Sequence, residues 1–176
     1  EGGHDEARIL LAAEVVKSPG IPDTPPLIGK LLKSGIPVIS EIDFAARHSR
    51  SKIIGITGTN GKTTTTRLTY HLLKEAGFSV AIGGNVGYSF ARNVLQGDYD
   101  WQVLELSSFQ LDGIVDFRPD IAMLLNITPD HLDRYDYQME KYIAAKFRIA
   151  MNQTAADVLL YNADDTVISQ ELELLH

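Results

Sequence analysis

A glycine-rich turn set between an apolar strand and a helix constrains this chain more than any other feature: Lys52-Ile-Ile-Gly-Ile-Thr-Gly-Thr-Asn-Gly-Lys-Thr-Thr-Thr-Thr66. Lys52 to Ile56 reads as a strand, and Gly58, Asn60 and Gly61 as a sharp turn. Lys62 to about Ala76 reads as a helix, with Leu68, Leu72 and Ala76 at helical spacing. Backbone N–H groups at the start of such a helix point outward and favour an anion, most often phosphate. Lys62 adds a positive charge, and the Thr63 hydroxyl suits a Mg²⁺ ion. The spacing departs from the Walker pattern, because Ile56 stands where a glycine is expected and Gly58 lies closer to the lysine. An ordinary strand–helix turn with a solvated lysine is the alternative. The order of glycine, lysine and threonine between an apolar strand and an amphipathic helix favours the phosphate loop.

The rest of the chain alternates. Residues 79–83, 101–107, 121–127 and 157–161 read as strands, 88–95 and 137–151 as helices, with another helix from about Asp164. This predicts an α/β fold, a mostly parallel sheet covered by helices on both faces. Upstream, residues 8–17 read as a helix end and a short strand, 27–33 and 41–47 as helices, and 36–40 as a strand. The proline-dense stretch 18–26 is favoured as a structural turn, although its Ser18-Pro-Gly20 core can also bend around a ligand. The polar residues 48–51 suggest a division. Residues 1–48 then resemble the C-terminal part of a Rossmann-like domain, and 49–176 a truncated P-loop-type central domain. A start without methionine and an end inside a predicted helix read as a piece of a longer protein.

Ligands of open parallel sheets sit beyond the C-terminal strand ends, and polar residues gather there: the loop at 58–63, Asn85, Ser107 and Ser108, and Thr128 to His131. Glu105 lies in the apolar strand Val103-Leu-Glu-Leu106. A buried carboxylate is costly without a partner, and a phosphate-bound Mg²⁺ is favoured over a salt bridge. His131, after the fourth strand and flanked by Asp130 and Asp133, is expected at the same site, with one aspartate orienting it or completing a metal shell. Lys146 falls on the apolar face marked by Met139, Tyr142 and Ile143. Either it snorkels to water or it aims into the site, and periodicity leaves both open. Asn85 equally suits turn geometry or substrate binding.

A net charge of −7 argues against a nucleic-acid partner. The absence of cysteine excludes disulfides and thiol chemistry. No apolar run approaches the ~20 residues of a membrane span, and no signal peptide is visible.

The segments Gly58-Thr-Asn-Gly-Lys-Thr63, Gly84-Asn-Val-Gly87, Leu104-Glu-Leu-Ser-Ser-Phe-Gln-Leu111 and Asn126-Ile-Thr-Pro-Asp-His-Leu-Asp-Arg-Tyr135 together resemble the Mur ligases. Val16-Lys-Ser-Pro-Gly-Ile-Pro22 and Gly35-Ile-Pro-Val-Ile-Ser-Glu41 are similar to the end of the family's N-terminal domain. Within the family, the Leu-Ser-Ser-Phe-Gln-Leu stretch resembles the D-glutamate-adding branch.

The resemblance implies an ATP-dependent ligase of peptidoglycan synthesis that joins D-glutamate to UDP-N-acetylmuramoyl-L-alanine through an acyl phosphate. It implies a cytoplasmic monomer acting on small molecules, with neither nucleic acid nor membrane as partner. Carried over, Gly58, Thr59, Asn60, Gly61, Lys62, Thr63 and Thr64 would surround the ATP phosphates. Thr63 and Glu105 would hold one Mg²⁺, and His131 and a carbamylated Lys146 a second. Asn85, Ser107 and Gln110 would contact the UDP-sugar. The family's glycine-rich first segment, the adenine contacts at the end of its central domain and its third domain are missing, so these 176 residues alone are expected to make no product. The alternatives are a sister Mur or folate polyglutamate ligase, and a slow P-loop NTPase switch. No Asn-Lys-x-Asp guanine signature is found.

Overall fold

The computed structural model describes residues 3–22 and 24–174. A short helix α1 (Glu6–Ile9) leads into a small parallel unit: strand β1 (Val15–Lys17), helix α2 (Pro26–Lys33), strand β2 (Val38–Ser40), and helix α3 (Glu41–Ala46). Val15 pairs with Val38 and Lys17 with Ser40. Ser40 caps α3 by accepting the Asp43 N–H at 3.1 Å.

The main sheet has five parallel strands in the order β4-β5-β3-β6-β7, where β3 is Lys52–Thr57, β4 Val80–Gly84, β5 Trp101–Glu105, β6 Ile121–Leu124 and β7 Val158–Tyr161. Helices α4 (Lys62–Glu75), α5 (Phe90–Gln96), α6 (Ser108–Asp112), α7 (Met139–Phe147) and α8 (Thr166–Leu174) connect or follow them. The predicted α/β class and parallel sheet are therefore present. Alternate residues of the central strand face opposite layers. Ile54 and Ile56 meet Tyr70 and Leu73 of α4, whereas Ile53 joins Phe90, Leu104, Leu111 and Ile149 on the other side.

The leucine spacing does not mark the buried face of α4. Leu68 and Leu72 are more than half exposed. Thr66, Tyr70 and Leu73 turn toward the sheet instead. The loop fixes where the helix begins, and that start sets its rotational phase. The predicted helix 137–151 also ends early as α-helix, at Phe147, and tightens into a 3₁₀ turn over Arg148–Ala150.

The small unit is tied to the main sheet. Ile42 and Ala45 of α3 lie in the same core as Leu104 and Phe117. The buried Asp43 carboxylate accepts the N–H groups of Val115 (2.5 Å), Asp116 (3.0 Å) and Phe117 (2.6 Å). No helix among the described residues is long and apolar enough to cross a membrane.

Candidate active site

The C-terminal ends of β3, β4, β5 and β6 open onto one rim. Beyond β3 the loop presses against the end of β6: a Cβ on Gly58 would stand 3.0 Å from Leu125 Cβ and 3.3 Å from the Asn126 nitrogen. Thr59 N–H donates to the Asn126 backbone oxygen at 2.9 Å. The Asn126 carboxamide also accepts from Thr59 N–H (3.1 Å) and Asn60 N–H (2.8 Å), and it donates to the Asn60 oxygen (3.0 Å). Gly61, at φ +83, turns the chain into α4. The N–H groups of the first helical turn have no intrahelical acceptor and face outward. Lys62 folds back over the loop, its Nζ donating to the Gly58 oxygen (2.9 Å) and the Thr59 oxygen (2.8 Å).

Glu105 closes β5 at 2 % exposure. Its Oε2 accepts from Thr63 Oγ1 and its Oε1 from Asn85 Nδ2, each at 2.7 Å. Asn85 is held there because its backbone N–H donates to the Glu105 oxygen at 2.9 Å. Gly84 makes that approach possible: its φ is +93, and a Cβ would lie 2.3 Å from the Glu105 oxygen. Among the described residues no ion pair reaches Glu105, so its partners are neutral donors rather than a lysine or arginine. A buried carboxylate beside a hydroxyl is a hard-oxygen donor set of the kind Mg²⁺ takes, with phosphate and water filling the remainder.

Lys146 is 2 % exposed, so its ammonium does not snorkel to water. It points across the site and donates to the Gly58 oxygen at 2.8 Å, the carbonyl that Lys62 also uses. Its Nζ lies 4.6 Å from the centre of the Tyr142 ring. Burial, and then the charge of Lys62, bring the Lys146 pKa down from 10.5 to about 7, while Asp130 pulls the other way. His131 sits in the left-handed region at φ +50 at the head of a 3₁₀ turn, Leu132–Tyr135. Its ring is tilted against Phe109 at 5.4 Å, and its Nε2 is 3.7 Å from Asp130 Oδ2. Asp130 thus approaches the ring, at a separation beyond hydrogen-bond reach. Ser107 and Gln110 cap α6 reciprocally: Ser107 Oγ accepts the Gln110 N–H (3.3 Å), and Gln110 Oε1 accepts the Ser107 N–H (3.0 Å).

Two cavities meet here. A depression of about 350 Å³ follows the loop from Thr59 to Thr64 and reaches Glu105. A cleft of about 700 Å³ runs from the turn Ser18–Gly20 past Ser107 and Gln110 to His131 and Lys146. Lys62 and Asn85 line both. Arg134 bridges the cleft's two sides, donating to the Pro19 and Gly20 oxygens at 3.1 Å each while its guanidinium lies 4.6 Å from the Phe109 ring centre.

The sequence-predicted residues thus converge on one rim. Asn126, Arg134 and Phe109 lie within the family-like segments and Tyr142 on the apolar face of α7, but the sequence assigns none of them a role. A polar residue at the end of a buried strand was the signal available for Asn126. For the Arg134 latch, whose hydrogen-bond acceptors lie more than a hundred positions away, no local signal exists.

A parallel sheet with a glycine-rich strand–helix turn beyond its central strand and a buried carboxylate at the neighbouring strand end defines an α/β domain with a candidate anion site. Residues 56–175 match the Mur ligase middle domain, and the chain belongs to the Mur ligase family. It is 59% identical over 97% of its length to the UDP-N-acetylmuramoylalanine--D-glutamate ligase of Christiangramia forsetii. It is 57% identical over 98% of its length to the enzyme of that name from Bacteroides fragilis. The chain spans 38% and 39% of those relatives. Among solved structures, it resembles a UDP-N-acetylmuramate:L-alanyl-gamma-D-glutamyl-meso-diaminopimelate ligase from Neisseria meningitides with a TM-score of 0.67 at 19% identity, over 99% of this chain and 60% of that one.

Proposed function

We propose that this chain carries the nucleotide-binding centre of an ATP-dependent ligase joining D-glutamate to UDP-N-acetylmuramoyl-L-alanine, a monomeric cytoplasmic enzyme of peptidoglycan synthesis. In this reading, residues 1–48 complete a UDP-substrate domain and 49–176 form most of an ATP-binding domain. The observation that carries it is the junction of the phosphate-loop depression and the larger cleft at Lys62 and Asn85. A phosphoryl donor in one cavity and a carboxylate acceptor in the other would meet there. The choice of D-glutamate rests on relatives 59% and 57% identical to this chain over 97% and 98% of its length.

The chemistry asks the protein to bring two anions together. A carboxylate oxygen of the UDP-sugar peptide attacks the γ-phosphorus, the bond to ADP breaks, and an acyl phosphate forms. The amine of D-glutamate then attacks the acyl carbon, and the tetrahedral adduct collapses to amide and phosphate. Positioning and charge neutralisation supply most of such catalysis. The N–H groups opening α4 and the Lys62 ammonium would hold the β- and γ-phosphates. Lys62 would leave the Gly58 and Thr59 carbonyls to do so. Thr63 and Glu105 would hold one Mg²⁺, and His131 with Lys146 a second. When bound, Mg²⁺ would neutralise phosphate charge and polarise the phosphoryl oxygens.

Lys146 suits this role only after modification, since an ammonium repels a cation. A pKa of about 7 leaves a large neutral fraction at neutral pH. The amine lone pair can then add to CO₂, forming an N–C bond and releasing a proton, and the product is an anionic carbamate. Ser107 and Gln110, locked by their mutual hydrogen bonds, would present a rigid edge to the UDP-sugar beside Asn85.

The test uses the protein expressed from its complete reading frame. With ATP, Mg²⁺ and UDP-N-acetylmuramoyl-L-alanine, phosphate release should require D-glutamate and not occur with L-lysine or meso-diaminopimelate. Release indifferent to the acceptor would remove the ligase assignment and favour a slow NTPase.

A further inference from the structure

The loop carries Ile56 where a Walker loop carries its first glycine, and another element holds its near side. Asn126, at the end of β6, spends its whole carboxamide on Thr59 and Asn60. It accepts both N–H groups at 3.1 and 2.8 Å and donates to the Asn60 oxygen at 3.0 Å, while its own backbone oxygen accepts Thr59 N–H at 2.9 Å. Gly58 has no Cβ at the point where β6 would collide with one. The Thr59 hydroxyl extends the same seam: it donates to the Thr128 oxygen at 3.1 Å and accepts the Thr128 N–H at 3.0 Å. The first half of the loop is thus zipped to β6, and the Thr59 and Asn60 amides are occupied before any ligand arrives.

We propose that Asn126 is a positioning residue for the nucleotide, a role that rests on the ligase reading above. By satisfying Thr59 and Asn60 from β6, it confines phosphate contacts to the N–H groups from Gly61 to Thr64 and fixes the angle at which those groups face the phosphates. The side-chain brace does what an early glycine and a longer loop do in the Walker arrangement, and it ties the phosphate register to the strand that leads into His131. Preorganised donors lose no order when the ligand binds. Without the side-chain brace, Thr59 N–H keeps the Asn126 backbone oxygen, but Asn60 N–H loses the carboxamide oxygen and can compete for phosphate in unproductive registers.

Two measurements on the protein from its complete reading frame test this. In the first, Asn126→Ala should weaken Mg·ADP binding about tenfold by calorimetric titration and raise the KM for ATP by a similar factor, with a smaller change in kcat. Affinity for the UDP-sugar peptide should stay unchanged. Asn126→Asp keeps the size and both accepting positions, but it sets a negative oxygen against the Asn60 carbonyl, so it should bind Mg·ADP no better than the alanine variant. A merely space-filling asparagine predicts that aspartate restores binding. The second needs no variant. In the wild-type protein, the Thr59 and Asn60 amides should be protected from deuterium exchange without nucleotide and unchanged by ADP, whereas those of residues 61–64 should gain protection on binding. Wild-type ADP affinity in both variants, or Thr59 and Asn60 amides protected only by nucleotide, would overturn the proposal. A wild-type protein that binds no ADP would overturn the ligase reading along with it.

Discussion

Replacing Lys146 by methionine should make the protein more stable and inactive at once, and the gain should depend on pH. The Lys146 amine is 2 % exposed, and its pKa is lowered to about 7 from 10.5, by burial first and by Lys62 second. The folded-state value lies below the unfolded one. Between about pH 7 and 10.5 the unfolded chain therefore binds more protons, and wild-type stability rises with pH across that window. From these two values the penalty is about 4 kcal/mol at pH 7 and about 1 kcal/mol at pH 10. Methionine keeps the apolar stem and removes the penalty. The Gly58 oxygen, deprived of Lys146, keeps its hydrogen bond from Lys62 at 2.9 Å, so no carbonyl is orphaned. Urea unfolding of both proteins in CO₂-free buffer without nucleotide reads the difference, and other titrating groups cancel in the comparison. Lys146→Met should be more stable by about 2–4 kcal/mol at pH 7, and its advantage should shrink by about 3 kcal/mol by pH 10. A variant less stable than wild type at pH 7, or a gap that does not move with pH, would refute the reasoning.

Other substitutions probe neighbouring contacts. Glu105→Gln preserves shape and an acceptor for Thr63, and the Asn85 carboxamide can flip to accept the new Nε2–H, so its unfolding midpoint should change little. Its kcat should fall about a hundredfold or more, with higher Mg²⁺ needed for half-maximal rate; wild-type Mg²⁺ dependence would contradict the metal assignment. Gly84→Ala forces a Cβ to 2.3 Å from the Glu105 oxygen at a φ of +93 and should cost about 3 kcal/mol in urea unfolding; a loss below about 0.5 kcal/mol would mean that the loop yields freely. Arg134→Ala frees the Ser18–Gly20 turn and should raise the KM for the UDP-sugar peptide about tenfold without changing that for ATP; equal changes in both would deny the latch. Lys146→Ala should lose activity and regain part of it with short-chain carboxylates, which supply the missing oxygen ligand; no recovery would count against a carbamate.

Features set by local chemistry were legible in the sequence. The loop at 58–63, the continuous apolar run of β3 and the misplaced charges of Glu105 and Lys146 each violate or satisfy a short-range rule, and each lies where that rule implies. Lys146 shows the boundary. Periodicity put it on the buried face but could not separate snorkelling from burial, because the answer depends on Tyr142 and Gly58 closing over it. The buried face of α4 is not marked by its leucine spacing, for a related reason. Leu68 and Leu72 fit helical spacing, but the phase of the helix is set at Gly61, and Tyr70 and Leu73 reach the sheet instead. The brace of Asn126 and the latch of Arg134 join segments 66 and 115 residues apart, and such pairings leave no local pattern. The resemblance implies substrate contacts for Ser107 and Gln110, and their reciprocal capping of α6 is legible as a Ser-x-x-Gln spacing.

In the proposed reaction the phosphoryl group passes to a carboxylate held where the two cavities meet. Following oxygen reads this transfer. UDP-N-acetylmuramoyl-L-alanine labelled with ¹⁸O in its carboxylate, supplied with ATP, Mg²⁺ and D-glutamate to the protein from its complete reading frame, should yield inorganic phosphate carrying one labelled oxygen, because the attacking carboxylate oxygen leaves with the phosphate. Phosphate free of label would mean that water is the acceptor, and the chain would then serve a nucleotide hydrolase and not a ligase.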